Sequence, residues 1–153
     1  MTRTVAVTGA ASGIGKAIAK AFVDDGDTVF LGDISAERLE STAAELGERA
    51  IAVHVDVSDR ASVEAFLQRA ESDGGGLDIL VNNAGVVDAF AGVFDTPVDL
   101  WQRVLDINLT GYFHTCQVAA GLMSPRRQGH IINMSSIAAY RGGIDGLSYI
   151  VSK

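Results

Sequence analysis

Thr8-Gly9-Ala10-Ala11-Ser12-Gly13-Ile14-Gly15 stands between a short apolar run, Thr4 to Val7, and a stretch with helical spacing, Lys16 to Asp25. A glycine-rich turn joining strand to helix lets the backbone approach a pyrophosphate, whose charge then rests among the unpaired N–H groups of the helix start. Short glycine patterns recur in ordinary turns, so position decides: strand before, helix after, and an acidic residue downstream. Asp33 is that residue, 18 positions beyond Gly15 and at the end of a second apolar run. A carboxylate there accepts hydrogen bonds from adenosine ribose hydroxyls and repels a ribose 2′-phosphate, so NAD is expected over NADP. No Arg or Lys lies between Gly9 and Gly15, and Arg38 reads as a solvated helix side chain. The alternative for Asp33 is to cap the helix that begins near Ser35. Gly9, Ser12, Gly13, Ile14, Gly15 and Asp33 are thus the first candidate cofactor contacts. Asp56-Val57, after the third apolar run, is the expected place of the adenine ring; its alternative is a turn before Ser58.

Outward from the loop, apolar runs at Thr4 to Val7, Thr28 to Leu31, Ile51 to Val55, Ile79 to Val81 and His130 to Met134 read as five strands. They are apolar on both faces, as parallel strands covered by helices on two sides must be. Helical stripes fall between them: Ile14, Ile18, Ala21 and Phe22; Leu39, Ala43 and Leu46; Val63, Phe66, Leu67 and Ala70. A fourth region runs from Val98 through Met123, with Leu100, Val104, Leu105, Leu109, Phe113 and Val118 as its apolar face. Strands joined through helices pair in parallel with right-handed crossovers, so the fold class is a doubly wound, Rossmann-type α/β sheet in one domain over residues 1–153. Ser35 and Ser58 are expected to start the second and third helices, and Gly47 and Gly74-Gly75-Gly76 to end helices.

The 153 residues are 48% hydrophobic and 20% charged, which suits a domain with a real core rather than a disordered chain. Nineteen acidic against 12 basic residues leave a formal net charge of -7, which offers no footprint for nucleic acid or an anionic membrane and points to a small ligand. Cys116 is the lone cysteine, and Met1-Thr2-Arg3 runs into the first strand without an apolar leader, so a cytoplasmic location is expected. No run of about 18 apolar residues suggests a membrane span.

The Thr-Gly-xxx-Gly-x-Gly spacing of residues 8–15 differs from the ordinary dinucleotide fingerprint and resembles the short-chain dehydrogenases/reductases. Asn82-Asn83-Ala84-Gly85 after the fourth strand resembles that family's Asn-Asn-Ala-Gly element, which steadies the sheet and lines the cofactor cleft. Asn108 within Asp106-Ile107-Asn108-Leu109-Thr110-Gly111 is similar to the family's helix asparagine. Ile132-Asn133-Met134-Ser135-Ser136 resembles the strand that leads to the catalytic serine, and Tyr149-Ile150-Val151-Ser152-Lys153 its Tyr-xxx-Lys. The family's serine lies 13 residues before the tyrosine, which selects Ser136 over Ser135. The resemblance therefore implies Asn108, Ser136, Tyr149 and Lys153 as catalytic residues. Asn83, Ala84, Gly85, Tyr149 and Lys153 join the cofactor contacts.

Hydride transfer between a carbinol carbon and nicotinamide needs a group that takes or returns the hydroxyl proton. A free phenol has a pKa of about 10, so Tyr149 alone is a poor base at neutral pH. Lys153, four residues on and on the same helical face, brings an ammonium that favours phenolate. The resemblance adds a hold on the nicotinamide ribose for Lys153 and a water-linked proton relay for Asn108. Ser136 would donate to the reacting oxygen. His54, His114 and His130 share no converging spacing and Cys116 reads as packing, so no metal site is expected.

The family pattern continues past Tyr-xxx-Lys and this sequence does not. Missing are the rest of the helix carrying Tyr149, a sixth strand, substrate-covering helices and a seventh strand. The fifth strand should be an exposed edge and the helix around Asn108 should lack its packing partner. Expected is an NAD(P)-dependent enzyme acting on a small-molecule secondary alcohol or ketone, homo-oligomeric in its full-length form, of which these 153 residues alone are inactive. The alternative is a non-catalytic dinucleotide-binding module. Substrate identity is not readable from Val86 to Pro97.

Overall fold

Five parallel strands in the order β3-β2-β1-β4-β5 make the sheet of the computed structural model, which describes residues 2–143 and 145–153. Met1, on which the reading of a leaderless start rests, lies outside the described residues. The strands are β1 Thr4–Thr8, β2 Thr28–Asp33, β3 Ala50–His54, β4 Ile79–Asn82 and β5 His130–Asn133. Between them run α1 Gly13–Asp24, α2 Ala36–Leu46, α3 Arg60–Gly74, and α4 Val98–Leu105. The last of these continues through a π-helical segment, Asp106–Thr110, into α5 Gly111–Met123; a short α6 Leu147–Ser152 follows β5. The doubly wound α/β class is as the sequence implies.

The double-sided apolar character of the strands has a direct structural outcome. Ala6 and Phe30 face a core with Phe66, Leu67 and Ala70 of α3 and with Ala119 and Met123 of α5. Val5, Val7, Val29 and Leu31 face the opposite one, with Ala19 of α1 and Leu39 of α2. Period-two alternation thus feeds two cores, one on each face of the sheet.

Several expectations need correction. Helix α1 starts at Gly13, inside the glycine loop rather than at Lys16, and Ile14 is 65% exposed, with Ala21 also outside the core. Ile18 and Phe22 of the expected stripe do pack on the core, joined by Ala19 and Val23. Ser58 does not start α3: Asp59 does, its carboxylate accepting from Ala61 N at 2.9 Å, while Ser58 serves Asp56. Leu109 and Phe113 are exposed. The buried face there is Asn108, Gly111, Thr115 and Ala119, small residues that let the helix approach closely; a Cβ on Gly111 would already press on Val57 at 3.0 Å. Bulk therefore misled where closeness mattered. β5 is an edge strand with all four residues exposed.

The carboxyl ends of β1 and β4 are stapled together. Thr8 Oγ1 accepts from Asn83 N and from Ala84 N, both at 3.1 Å, and the Asn83 side-chain amide donates back to Thr8 O at 3.1 Å and Gly9 O at 3.2 Å. At the amino ends, Asp27 is 3% exposed and accepts from Arg3 N at 3.1 Å and Arg3 Nε at 3.0 Å. The Arg3 guanidinium holds the Asp27 carboxyl below the usual carboxylate range.

Two outcomes follow from these contacts. Thr8→Val keeps the shape but leaves two amide donors unpaired, and should lower unfolding free energy by about 2–3 kcal/mol, with Thr8→Ser recovering most of it, as urea unfolding would measure. Because Asp27 is depressed in the folded state, its contribution is present above the unfolded carboxylate pKa and fades as pH falls through the folded one. Asp27→Asn should be less stable by about 1–2 kcal/mol at pH 7, the half exposure of Arg3 discounting the charged-pair range, and the gap should close as pH falls through the lowered Asp27 pKa.

Candidate active site

In an open parallel sheet, ligands bind outside the carboxyl ends of the strands where the strand order reverses, and here the reversal falls between β1 and β4. A cleft of about 440 Å³ opens at that point. Gly9, Ser12, Gly13 and Ile14 line it from the loop after β1, and Asn83, Ala84 and Gly85 from the segment after β4. The glycine spacing has a local reason. Gly9 takes φ 68° and lies so near β4 that a Cβ would stand 2.9 Å from Ala84 Cα; a Cβ on Gly15 would collide with the Gly9 carbonyl oxygen. Gly15 therefore sits behind the lining and lets α1 begin at once.

Asp33 reaches the cleft from the end of β2 and also holds the loop. Its Oδ2 accepts from Ala11 N at 3.2 Å and its Oδ1 from Ser35 N at 3.0 Å, so the turn into α2 and the cleft wall share one carboxylate. Arg38, read from sequence as a solvated side chain, lines the cleft beside it while its Nε donates to Ser35 Oγ at 3.0 Å. Asp56 and Val57 line the cleft as well, and Asp56 Oδ1 also accepts from Ser58 N at 2.9 Å, so it makes the turn that stood as its alternative.

The remaining candidates gather at the Gly85 end. Asn108, 1% exposed, accepts from Val86 N at 2.8 Å and donates to Val86 O and to Ser152 Oγ, each at 2.9 Å, tying the segment after β4 to α6. A π-helical turn carries it, and such turns often mark functional sites. A Cβ on Gly85 would stand 3.3 Å from Asn108 Oδ1 and 3.6 Å from Lys153 Nζ, so the cleft wall touches both side chains. Lys153 Nζ donates to Met134 O at 3.1 Å and lies 5.7 Å from the Tyr149 ring centre and 5.1 Å from that of Tyr112. Burial lowers the Lys153 ammonium pKa from its ordinary value; burial, with Tyr149 adding to it, raises that of the Tyr112 phenol, which stays a neutral donor.

Among the described residues no hydrogen bond joins Ser136 to Tyr149, and Ser136 Oγ accepts from Ala138 N at 3.2 Å. Ser135 Oγ contacts the Lys153 carbonyl oxygen at 3.3 Å. Sequence reasoning missed the Thr8 hydroxyl, Tyr112 and Ser152. Thr8 had a signal, since a strand-end threonine faces the neighbouring strand's last amides; Tyr112 and Ser152 have none without the fold.

The family model described as short chain dehydrogenase matches residues 3–153. The chain is 42% identical to the short chain dehydrogenase/reductase dpchG of Colletotrichum higginsianum, over 99% of this chain and 58% of that protein. It is 39% identical to the cis-4-hydroxycyclohexanecarboxylate dehydrogenase of Sinomonas cyclohexanicum, again over 99% of this chain and 61% of that one. The 2-dehydro-3-deoxy-L-rhamnonate dehydrogenase (NAD(+)) of a Sphingomonas species is 37% identical, with 60% of its length covered. The crystal structure of gox2181 superimposes with a TM-score of 0.95 at 28% identity, covering 99% of this chain and 61% of that one. The chain thus spans about three fifths of the length of these proteins. With the glycine loop, the stapled switch point and the Asn-Asn-Ala-Gly wall in place, this chain belongs to the short-chain dehydrogenase family.

Proposed function

We propose that the protein containing this chain is an NAD-dependent oxidoreductase that interconverts a secondary alcohol and a ketone. One observation carries the reading: Gly85 lines the glycine-loop cleft and at the same time abuts Lys153 and Asn108, so a nucleotide site and a proton-handling site share a wall. The cleft fits a dinucleotide, because Gly9, Gly13 and Ile14 leave backbone open at the start of α1 and Asp33 stands 20 or so residues further on, as a ribose-binding carboxylate does. Gly9, Ser12, Gly13 and Ile14 would hold the pyrophosphate, with Gly15 packed behind them against Gly9, Asp33 the adenosine ribose, Asp56 and Val57 the adenine, and Asn83, Ala84 and Gly85 the wall toward nicotinamide. NAD is preferred because the Asp33 carboxylate opposes a 2′-phosphate, and the Sphingomonas relative carries NAD(+) in its name. When bound, the cofactor supplies the hydride acceptor or donor.

The chain's own residues manage the proton. Tyr149 takes it from the alcohol oxygen, or returns it to the ketone oxygen, at the phenol Oη. Lys153, with its Nζ 5.7 Å from the centre of that ring, holds the nicotinamide ribose together with Tyr149. Ser136 donates to the substrate oxygen; its Oγ accepts from Ala138 N, which orients the lone pairs and leaves the hydroxyl proton to give. Asn108 fixes Val86 and Ser152 and so keeps the relay near Lys153 in place. Two dehydrogenase relatives named for hydroxylated or oxo acids support an alcohol/ketone pair. Exposed Leu109 and Phe113 support a homo-oligomer, and a lone Cys116 supports the cytoplasm.

The test is deuterium transfer from 4-deuterated NADH to 4-oxocyclohexanecarboxylate, an acetoacetyl thioester and a 3-ketosteroid, read by mass spectrometry on the full-length protein. At least one should gain deuterium at the carbinol carbon, and Tyr149→Phe should lower the rate at least 100-fold with NADH affinity within threefold. NADH binding without transfer from any of them would point to the binding module, and an active Tyr149→Phe would remove Tyr149 from the chemistry.

A further inference from the structure

Asp88 is 1% exposed, and the chemistry above does not use it. Its Oδ2 accepts from Tyr149 N at 3.0 Å, 61 residues along the chain, whereas its buried Oδ1 has no hydrogen-bond partner among the described residues. A buried carboxylate oxygen left unpaired is destabilising, so its presence asks for a reason other than stability.

Gly146 supplies a second, independent observation. It precedes α6 with φ −72° and ψ 161°, the backbone geometry in which a Ser, Thr or Asp side chain accepts from the amide of the third helical residue, here Tyr149. Gly146 has no such side chain and no room for one, because a Cβ there would fall on Asp88 Oδ1 and Cγ. The acceptor that a local residue would provide comes instead from the segment after β4. That segment also takes the Leu147 amide on Ala91 O at 2.9 Å. Its root at Val86 is held by Asn108, which grips Ser152 at the other end of α6.

We propose that Asp88 is a positioning residue for Tyr149: it fixes the Tyr149 backbone to the segment whose first residues, Gly85 and Val86, form the cleft wall. The reaction's proton donor and the cofactor wall then move as one piece, which a serine at position 146 could not arrange. This inference rests on the proposed function, because it gives Tyr149 a reaction to be positioned for.

The experiment compares Asp88→Ala, Gly146→Ser and the double variant in the full-length protein, using the ketone that accepts deuterium in the transfer assay. Asp88→Ala should lower kcat at least tenfold while the NADH Kd stays within twofold, measured well below the melting temperature. Gly146→Ser alone should also lower kcat, since its side chain collides with Asp88. Together the two should regain the parent's melting temperature but not its kcat, because the serine hydroxyl accepts from Tyr149 N without tying it to the segment after β4. Parental kcat in Asp88→Ala, or kcat recovered in the double variant, overturns the proposal. If Asp88→Ala does not fold, the double variant and Asp88→Asn, which keeps an acceptor oxygen on the segment after β4, carry the same test: Asp88→Asn should hold kcat within threefold of the parent, and a tenfold loss there or parental kcat in the double variant overturns the proposal. If no ketone accepts deuterium or Tyr149→Phe is active, the functional reading has failed and this inference falls with it; a Tyr149-dependent enzyme indifferent to Asp88 fails this inference alone.

Discussion

The Thr8 hydroxyl accepts from two successive amides at the end of β4, and Asn83 returns two bonds to the end of β1. These four contacts bridge the place where the sheet reverses its winding. Without them the glycine loop and the Asn-Asn-Ala-Gly segment would diverge with the twist of their strands. With them, both leave the sheet edge side by side and enclose a cleft whose two walls have a fixed separation.

Closeness is the currency of the rest of the structure. Gly9 sits against Ala84, Gly15 against Gly9, Gly111 against Val57 and Gly146 against Asp88, each where a Cβ would press on its neighbour. Such contacts place backbone rather than side chains at the cleft, and backbone N–H groups are what a phosphate-bearing ligand needs. Asp33, Arg38, Asp56 and Arg103 put charge in the cleft lining, and Lys153 stands beyond the Gly85 wall, its ammonium destabilised by burial and braced by Met134 O. Asn108, on its π-helical turn, joins the segment after β4 to α6, so the two communicate through hydrogen bonds rather than through flexible chain.

Much of this was readable from the chain. The five apolar runs became five strands because each is double-sided, and Val63, Phe66, Leu67 and Ala70 packed as one stripe because their spacing follows the helix. Asp33 and Asp56 stand in the cleft; Asp56 also makes the turn that was its alternative, whereas Asp33 bonds the amide of Ser35, the residue before α2, rather than capping that helix. What escaped has a common cause. Ile14, Leu109 and Phe113 were assigned to the core on bulk, yet glycine and other small residues occupy the contacts there. Asp88 and Ser152 act through partners 61 and 44 residues away, a separation that no local pattern records. The bond from Ala138 N to Ser136 Oγ, which caps the turn at Ile137–Ala139, also went unread.

The central claim is that this cleft is a dinucleotide site in which Asp33 selects the adenosine end, although Arg38 and Arg103 also reach its lining. Equilibrium binding of NADH and NADPH to the full-length protein, followed by nicotinamide fluorescence, tests it most directly. The account predicts NADH binding at least tenfold tighter than NADPH, with the difference lost in Asp33→Ala. Equal or tighter binding of NADPH to the unaltered protein would contradict it.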